Sequence, residues 1–289
     1  MDISVTSLTG YNYCARKLFL ALVLGIKEPP SKHLIIGSLL HSYIEKTALQ
    51  EEQFVKSLKL GSSFEEVKQI FVSSHSEILR KLILENLYDL KSFELDLAET
   101  YKNLWSTVSN ITIDRASLIY TQMLALQLDG SDLWQALSPK LISELKLENS
   151  ALSLKGRIDQ IEDYSGKLLP VEFKSGKAPN SGAWKDHQLQ LAAYSLLLEA
   201  KFGKPITNGI IFYLGSNTKI PQPINPFLKN EVVELVSKVK AMVSNFELPG
   251  FVENKNKCVN CGVKGKCYDQ GFISAKLKQI MTKNTQTTL

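Results

Sequence analysis

The sequence predicts a mixed α/β core carrying a helical insertion and a C-terminal cysteine region. Three observations lead there. Between Lys140 and Gly176, three successive runs alternate apolar and polar residues with the period of a strand. Helix-like and strand-like runs then take turns to about residue 246, as in a sheet with helices packed on its faces. Residues 51–132, by contrast, show helical patterning throughout.

The N-terminal run SVTSLTGYNYCARKLFLALVLG reads as a helical region around Cys14, broken by EPPSK. HLIIGSLLHSYIEKTALQ is helical as well. Its Gly37, His41 and Glu45 are spaced four apart on one face, with Gly37 permitting close approach of that helix. LGSS, VSSHSE and LDGSD are the expected breaks in the segment that follows. The strands KLISELKLEN, ALSLKGRIDQIED and KLLPVEFKSG are joined by turns at ENS and SGK. DHQLQLAAYSLLLEAKFG is a helix ended by Gly203 and Pro205, ITNGIIFYLG a strand, and PFLKNEVVELVSKVKAMVSNF a helix. The resulting division is 1–50, N-terminal helices; 51–135, the insertion; 136–248, the core; and 249–289, the cysteine-bearing basic end. No internal repeat appears.

The 289 residues carry a net charge of +5, unevenly spread. From Phe251 onward there are seven lysines and two acids, which suits an anionic partner such as nucleic acid, although the last dozen residues read as a solvated tail. Residues 51–100 hold ten acids and six bases, a poor cradle for DNA. No apolar run approaches the roughly 20 residues that cross a bilayer. LFLALVLGI imitates a signal peptide but lacks a cleavage pattern, so the expectation is no membrane and a cytoplasmic protein. In that compartment four cysteines read as metal ligands rather than disulfides.

The core run carries chemistry. In VEFKSG, Val171 and Phe173 share one face while Glu172 and Lys174 share the other. If GRID lies on a neighbouring strand, Asp159 and Glu172 converge on one volume, where two carboxylates suit Mg²⁺ or Mn²⁺. Lys174 then reaches the same volume, placed to hold a phosphate or orient water. Alone, Glu-x-Lys equally fits a salt-bridged hairpin; its company raises it. Gln190 and Tyr194 share a helix face with His187. At the other end, Cys258, Cys261 and Cys267 fall within ten residues, and with the remote Cys14 they make four ligands, enough for zinc or an iron-sulfur cluster.

GRID, VEFKSG and QLAAY, in that order and spacing, resemble the RecB-like branch of the PD-(D/E)XK nucleases, with their restriction-endonuclease-like core. The resemblance implies a metal-dependent DNA nuclease in which Asp159 and Glu172 are metal ligands and Lys174 is the catalytic lysine. It also makes Gln190 and Tyr194 the accessory motif and His41, in GSLLH, a further metal ligand. Glu144 in SELKL ranks below these. One cysteine before the core and three after it resemble the iron-sulfur nucleases of CRISPR adaptation, with exonuclease V and AddB-type nuclease domains as relatives. That implies a [4Fe-4S] cluster on Cys14, Cys258, Cys261 and Cys267, closing a loop of nearly the whole chain. It implies 5′-to-3′ exonuclease action on single-stranded DNA and preparation of fragments for the CRISPR integrase. The alternatives are a repair nuclease of exonuclease V type, a non-catalytic iron-sulfur DNA-binding module and an oxidation sensor. Arg16, Lys17 and the C-terminal lysines are candidate DNA contacts, with Tyr11, Tyr13 and Trp184 as stacking candidates. The resemblance leaves out about 51–132, and Ala15 in CARK replaces the proline of many relatives.

Overall fold

The computed structural model describes the backbone of residues 1–286 and the side chains of residues 1–282. The Lys283 side chain and the last three residues of the basic tail lie outside the described residues. A two-residue strand β1 (Ile3–Ser4) leads into α1 (Val5–Leu22), capped by the Ser4 hydroxyl. The LFLALVLGI run is the second half of this helix and its exit, and Phe19, Leu20 and Leu24 are buried in the core. After the proline pair, α2 (Lys32–Ser57) runs straight through the expected boundary at residue 50.

A capping box between Ser63 and Glu66 starts α3 (Phe64–Glu85). This helix continues through VSSHSE, where a break was expected. The Ser73 hydroxyl donates back to the Gln69 carbonyl at 2.7 Å, and burial of Phe71, His75, Ile78 and Leu79 outweighs the low helix propensity of the serines. The helical layer continues with α4 (Leu87–Ser92), α5 (Leu97–Leu126) and α6 (Gly130–Ala136).

The three expected strands follow as β2 (Lys140–Asn149), β3 (Leu154–Tyr164) and β4 (Lys167–Lys174). Next come α7 (Lys185–Phe202), β5 (Asn208–Tyr213), an unanticipated β6 (Thr218–Pro223) and α8 (Pro226–Ser244). The basic end folds into α9 (Asn256–Val259), α10 (Lys264–Tyr268) and α11 (Gln270–Gln286).

In the sheet, β2 runs antiparallel along one edge of β3. The other edge of β3 meets β1 in parallel at Leu154 and Lys155, then β4 antiparallel from Gln160 onward. β4 and β5 are parallel, with α7 as their crossover, and β6 closes the sheet antiparallel to β5. Helices α1, α7 and α8 bury one face, against Leu154, Ile158 and Ile211. Helices α2, α3 and α5 bury the other, against Val171, Phe173 and Phe212. The helical segment thus forms the second layer of the domain, because without it Val171 and Phe173 would face water. Among the described residues no helix is long and apolar enough to cross a membrane.

Candidate active site and cysteine centre

A strict period of two would put Ile158 and Ile161 on opposite faces, yet both are buried beneath α1 and α7. On β2, Ile142 and Leu145 pack against that same core. Both strands therefore slip by one residue at the same level, where Glu144 faces Asp159. That pair is missing from the ladder between Ser143–Gln160 and Leu145–Ile158, and Glu144 has a φ of +57°, a left-handed conformation a glutamate rarely adopts. β3 and β4 also part before Gln160 and Val171. Into that gap the Asp159 carboxylate turns, and its Oδ2 accepts the Phe173 N–H at 3.0 Å.

Around this gap the expected residues assemble. His41 Nδ1, from α2, lies 3.3 Å from Asp159 Oδ1. His41, Glu144 and Asp159 each offer a donor atom, all within 4.8 Å of one another. Glu144 also pairs with Arg157. Glu172 is 3 % exposed; its Oε1 lies 2.8 Å from Lys174 Nζ, and its Oε2 is buried with no hydrogen-bond partner. Lys174 Nζ donates to Gln190 Oε1 at 2.7 Å, and Gln190 Nε2 donates to Tyr194 Oη at 2.9 Å. The two residues of α7 thus form one relay ending on the lysine.

Electrostatics single out the same group. Burial, together with the Asp159 charge and against the pull of Lys174, raises the Glu172 carboxyl to about 8. Burial would lower His41, but its hydrogen bond to Asp159 and that carboxylate's charge leave it raised. Burial also raises Glu144. A buried carboxylate with an unpartnered oxygen needs a proton or a cation, and a donor set of carboxylates plus one imidazole fits a divalent ion such as Mn²⁺ or Mg²⁺.

His187 shares the face of Gln190, and its Nδ1 lies 2.9 Å from Tyr213 Oη. Other expectations are corrected. A Cβ on Gly37 would stand 3.7 Å from Ser175 Oγ, an ordinary contact, so no close approach demands that glycine. Gly156 is the demanding one: a Cβ there would meet Val5 Cγ2 at 2.8 Å and Leu197 Cδ1 at 3.1 Å, where α1 and α7 press on β3. Arg16, a candidate DNA contact, is 4 % exposed. It donates to the Pro249 and Cys267 carbonyls at 2.8 and 3.2 Å and lies over the Phe251 ring, so it binds the chain's own C-terminal segment. Lys17 is paired with Glu28. Tyr11 packs against the core, whereas Tyr13 and Trp184 are exposed.

All four cysteines line one small cavity. Cys14 enters it because α1 breaks there into extended backbone (φ −162°, ψ 98°), and its Sγ accepts the Lys17 N–H at 3.4 Å. Cross-links between the chain's ends hold the cavity walls together: Arg16 to α10, Lys257 Nζ to the Tyr13 carbonyl at 2.9 Å, and Gly262 N–H to Glu28 at 2.9 Å. Burial raises the Cys267 thiol, with the Arg16 cation opposing. Four sulfurs on one small pocket, with Cys267 buried and the other three half-buried, and an adjacent cation suit an anionic thiolate-held centre.

Comparison with known proteins agrees with this geometry. Over 147 residues the chain is 29% identical to a CRISPR-associated exonuclease Cas4/endonuclease Cas1 fusion of Leptospira interrogans, covering 48% of this chain and 27% of the relative. It is 25% identical over 296 residues to the DNA replication ATP-dependent helicase/nuclease DNA2 of Bos taurus, covering 92% of this chain and 26% of the relative. The CRISPR-associated exonuclease Cas4 of Francisella tularensis subsp. novicida is 25% identical over 126 residues, 44% of this chain and 62% of the relative. The chain therefore spans about a quarter of the length of the first two. The family match itself runs over residues 2–268, through the helical layer as well as the strands that carry Asp159, Glu172 and Lys174, and on that match the chain belongs to the PD-(D/E)XK nuclease superfamily.

Proposed function

We propose that this chain is a divalent-metal-dependent deoxyribonuclease that trims DNA ends, 5′ to 3′ on single strands, and prepares fragments for a CRISPR integrase. The carrying observation is Lys174, held between Glu172 and Gln190 at the lip of the carboxylate gap. His41, Asp159 and Glu172 hold the ion, with Glu144 beside them. The ion, when bound, polarises the phosphoryl group and lowers the pKa of an attacking water. Lys174 holds the scissile phosphate against this group, and its charge offsets the negative charge that builds as water adds and the bridging P–O bond breaks. Gln190 and Tyr194 fix the lysine's position and touch no substrate. Cys14, Cys258, Cys261 and Cys267 carry a [4Fe-4S] cluster that ties α1 to the C-terminal helices.

The Cas4 names among the relatives support the CRISPR setting. A second reading, a repair or replication nuclease, is favoured by one observation: the DNA2 similarity covers 92% of the chain, against 48% for the Cas4/Cas1 fusion. Anaerobically purified protein should be assayed on 5′- and 3′-labelled single-stranded DNA with Mn²⁺, Mg²⁺ or EDTA, alone and with a CRISPR integrase. Metal-dependent shortening from the 5′ end, redirected by the integrase, is expected. Shortening indifferent to the integrase would favour the repair reading, and no cleavage by cluster-loaded protein in any metal would overturn both.

A further inference from the structure

On the face of the sheet away from α7, the strands and helices α2, α3 and α5 enclose a cavity of about 300 Å³, within the range of small-molecule sites. Its floor is the underside of the catalytic strands. Gln160, Val171 and Phe173 line it, and they alternate along β3 and β4 with Asp159, Glu172 and Lys174. Most polar groups around it are already satisfied. Arg115 grips Glu51 through Nε and Nη2 at 2.5 and 2.7 Å and also reaches the Pro139 carbonyl. His75 is engaged by Tyr43 and Thr112.

Gln160 is the exception. The residue is 7 % exposed, and its amide, which has no partner among the described residues, is open to the cavity rather than sealed from it. A glutamine amide offers a donor and an acceptor side by side, the pair that matches the edge of a nucleobase. The edges of Phe173 and Phe212, with ring centroids 5.7 Å apart, add apolar wall, and the Lys219 ammonium lies 5.0 Å from the Phe212 ring centroid. With Glu51 and Arg115 cancelling, Asp114 and Glu162 outnumber Lys219 among the lining charges, which disfavours an anion.

We propose that this cavity binds a small, uncharged, planar heterocycle with an adjacent donor and acceptor, of the nucleobase or nucleoside class, its edge read by Gln160 and its ring against Phe173 and Phe212. Binding here needs no cleavage, so the test reads binding alone. Full-length protein labelled at the isoleucine δ1 methyls is titrated with adenosine, guanosine, cytidine, thymidine and adenosine 5′-monophosphate. Ile44, Ile111 and Ile210 line the cavity, whereas Ile224 and Ile273 lie in the core on the other face. Saturable shifts confined to the first three are expected with at least one nucleoside, and adenosine should bind more tightly than its monophosphate. Gln160→Leu should weaken binding about tenfold, the loss of one hydrogen-bonded edge. Should that variant fail to fold, Ala48→Phe, which fills the cavity from α2, must abolish the shifts. No shift at millimolar nucleoside, shifts as large at Ile224 and Ile273, a monophosphate that binds as well as adenosine, or binding untouched by either variant would overturn the proposal.

Discussion

His75 sits where three helices meet. Its Nδ1 lies 3.0 Å from Tyr43 Oη of α2 and 3.1 Å from Thr112 Oγ1 of α5, and those two hydroxyls are 2.8 Å apart. Burial lowers its pKa from 6.5 to about 4. As pH falls, the unfolded chain takes up this proton first, so the neutral ring's contribution is full above pH 6.5 and is lost toward pH 4. At about 1.4 kcal/mol per pH unit, that loss comes to about 3 kcal/mol. His75→Gln keeps a neutral hydrogen-bonding side chain that cannot titrate. Urea unfolding of wild type and variant at about pH 7.5 and about pH 4 separates this group from the carboxylates, which both proteins share. The wild type should lose about 3 kcal/mol more than the variant over that interval. Parallel losses would refute a neutral, desolvated His75.

Three further outcomes follow from the packing. Gly156→Ala should lower stability by about 1–3 kcal/mol in urea unfolding, because its Cβ meets Val5 and Leu197 inside a filled core. Arg16→Ala should destabilise the segment around α10 by about 2 kcal/mol, seen as faster amide exchange over residues 258–268. Arg16→Lys should not restore it, since one ammonium cannot serve the Pro249 and Cys267 carbonyls together. Glu144→Gln should weaken Mn²⁺ binding about tenfold in calorimetry without unfolding the protein, because its partner Arg157 is largely exposed; unchanged affinity would remove Glu144 from the site.

Strand β4 and the residues it carries were legible because local alternation fixed them. Val171 and Phe173 face one core while Glu172 and Lys174 face the other way, as the period of two requires. The four-residue spacing of Gln190 and Tyr194 likewise survives as a hydrogen bond. What escaped was non-local. The slip that turns Glu144 toward Asp159 depends on two strands changing face together, and nothing in SELKL signals it. Arg16 looked like a free cation beside Lys17 because the carbonyls it binds lie more than two hundred residues away. The serines of VSSHSE misled because helix burial, not propensity, decides that turn. That the helices of residues 51–132 cover one face of the sheet was not legible, because nothing local in them points to that face.

Mn²⁺ binding and DNA cleavage, measured side by side on wild type, Lys174→Ala and Asp159→Asn, decide whether the carboxylate holds the ion and the lysine serves the phosphate. If Asp159 holds the ion and Lys174 serves the phosphate, Lys174→Ala binds Mn²⁺ within a few-fold of wild type but cleaves at least about 100-fold more slowly. Asp159→Asn then loses both. Wild-type cleavage by Lys174→Ala, or wild-type Mn²⁺ affinity in Asp159→Asn, would contradict the account.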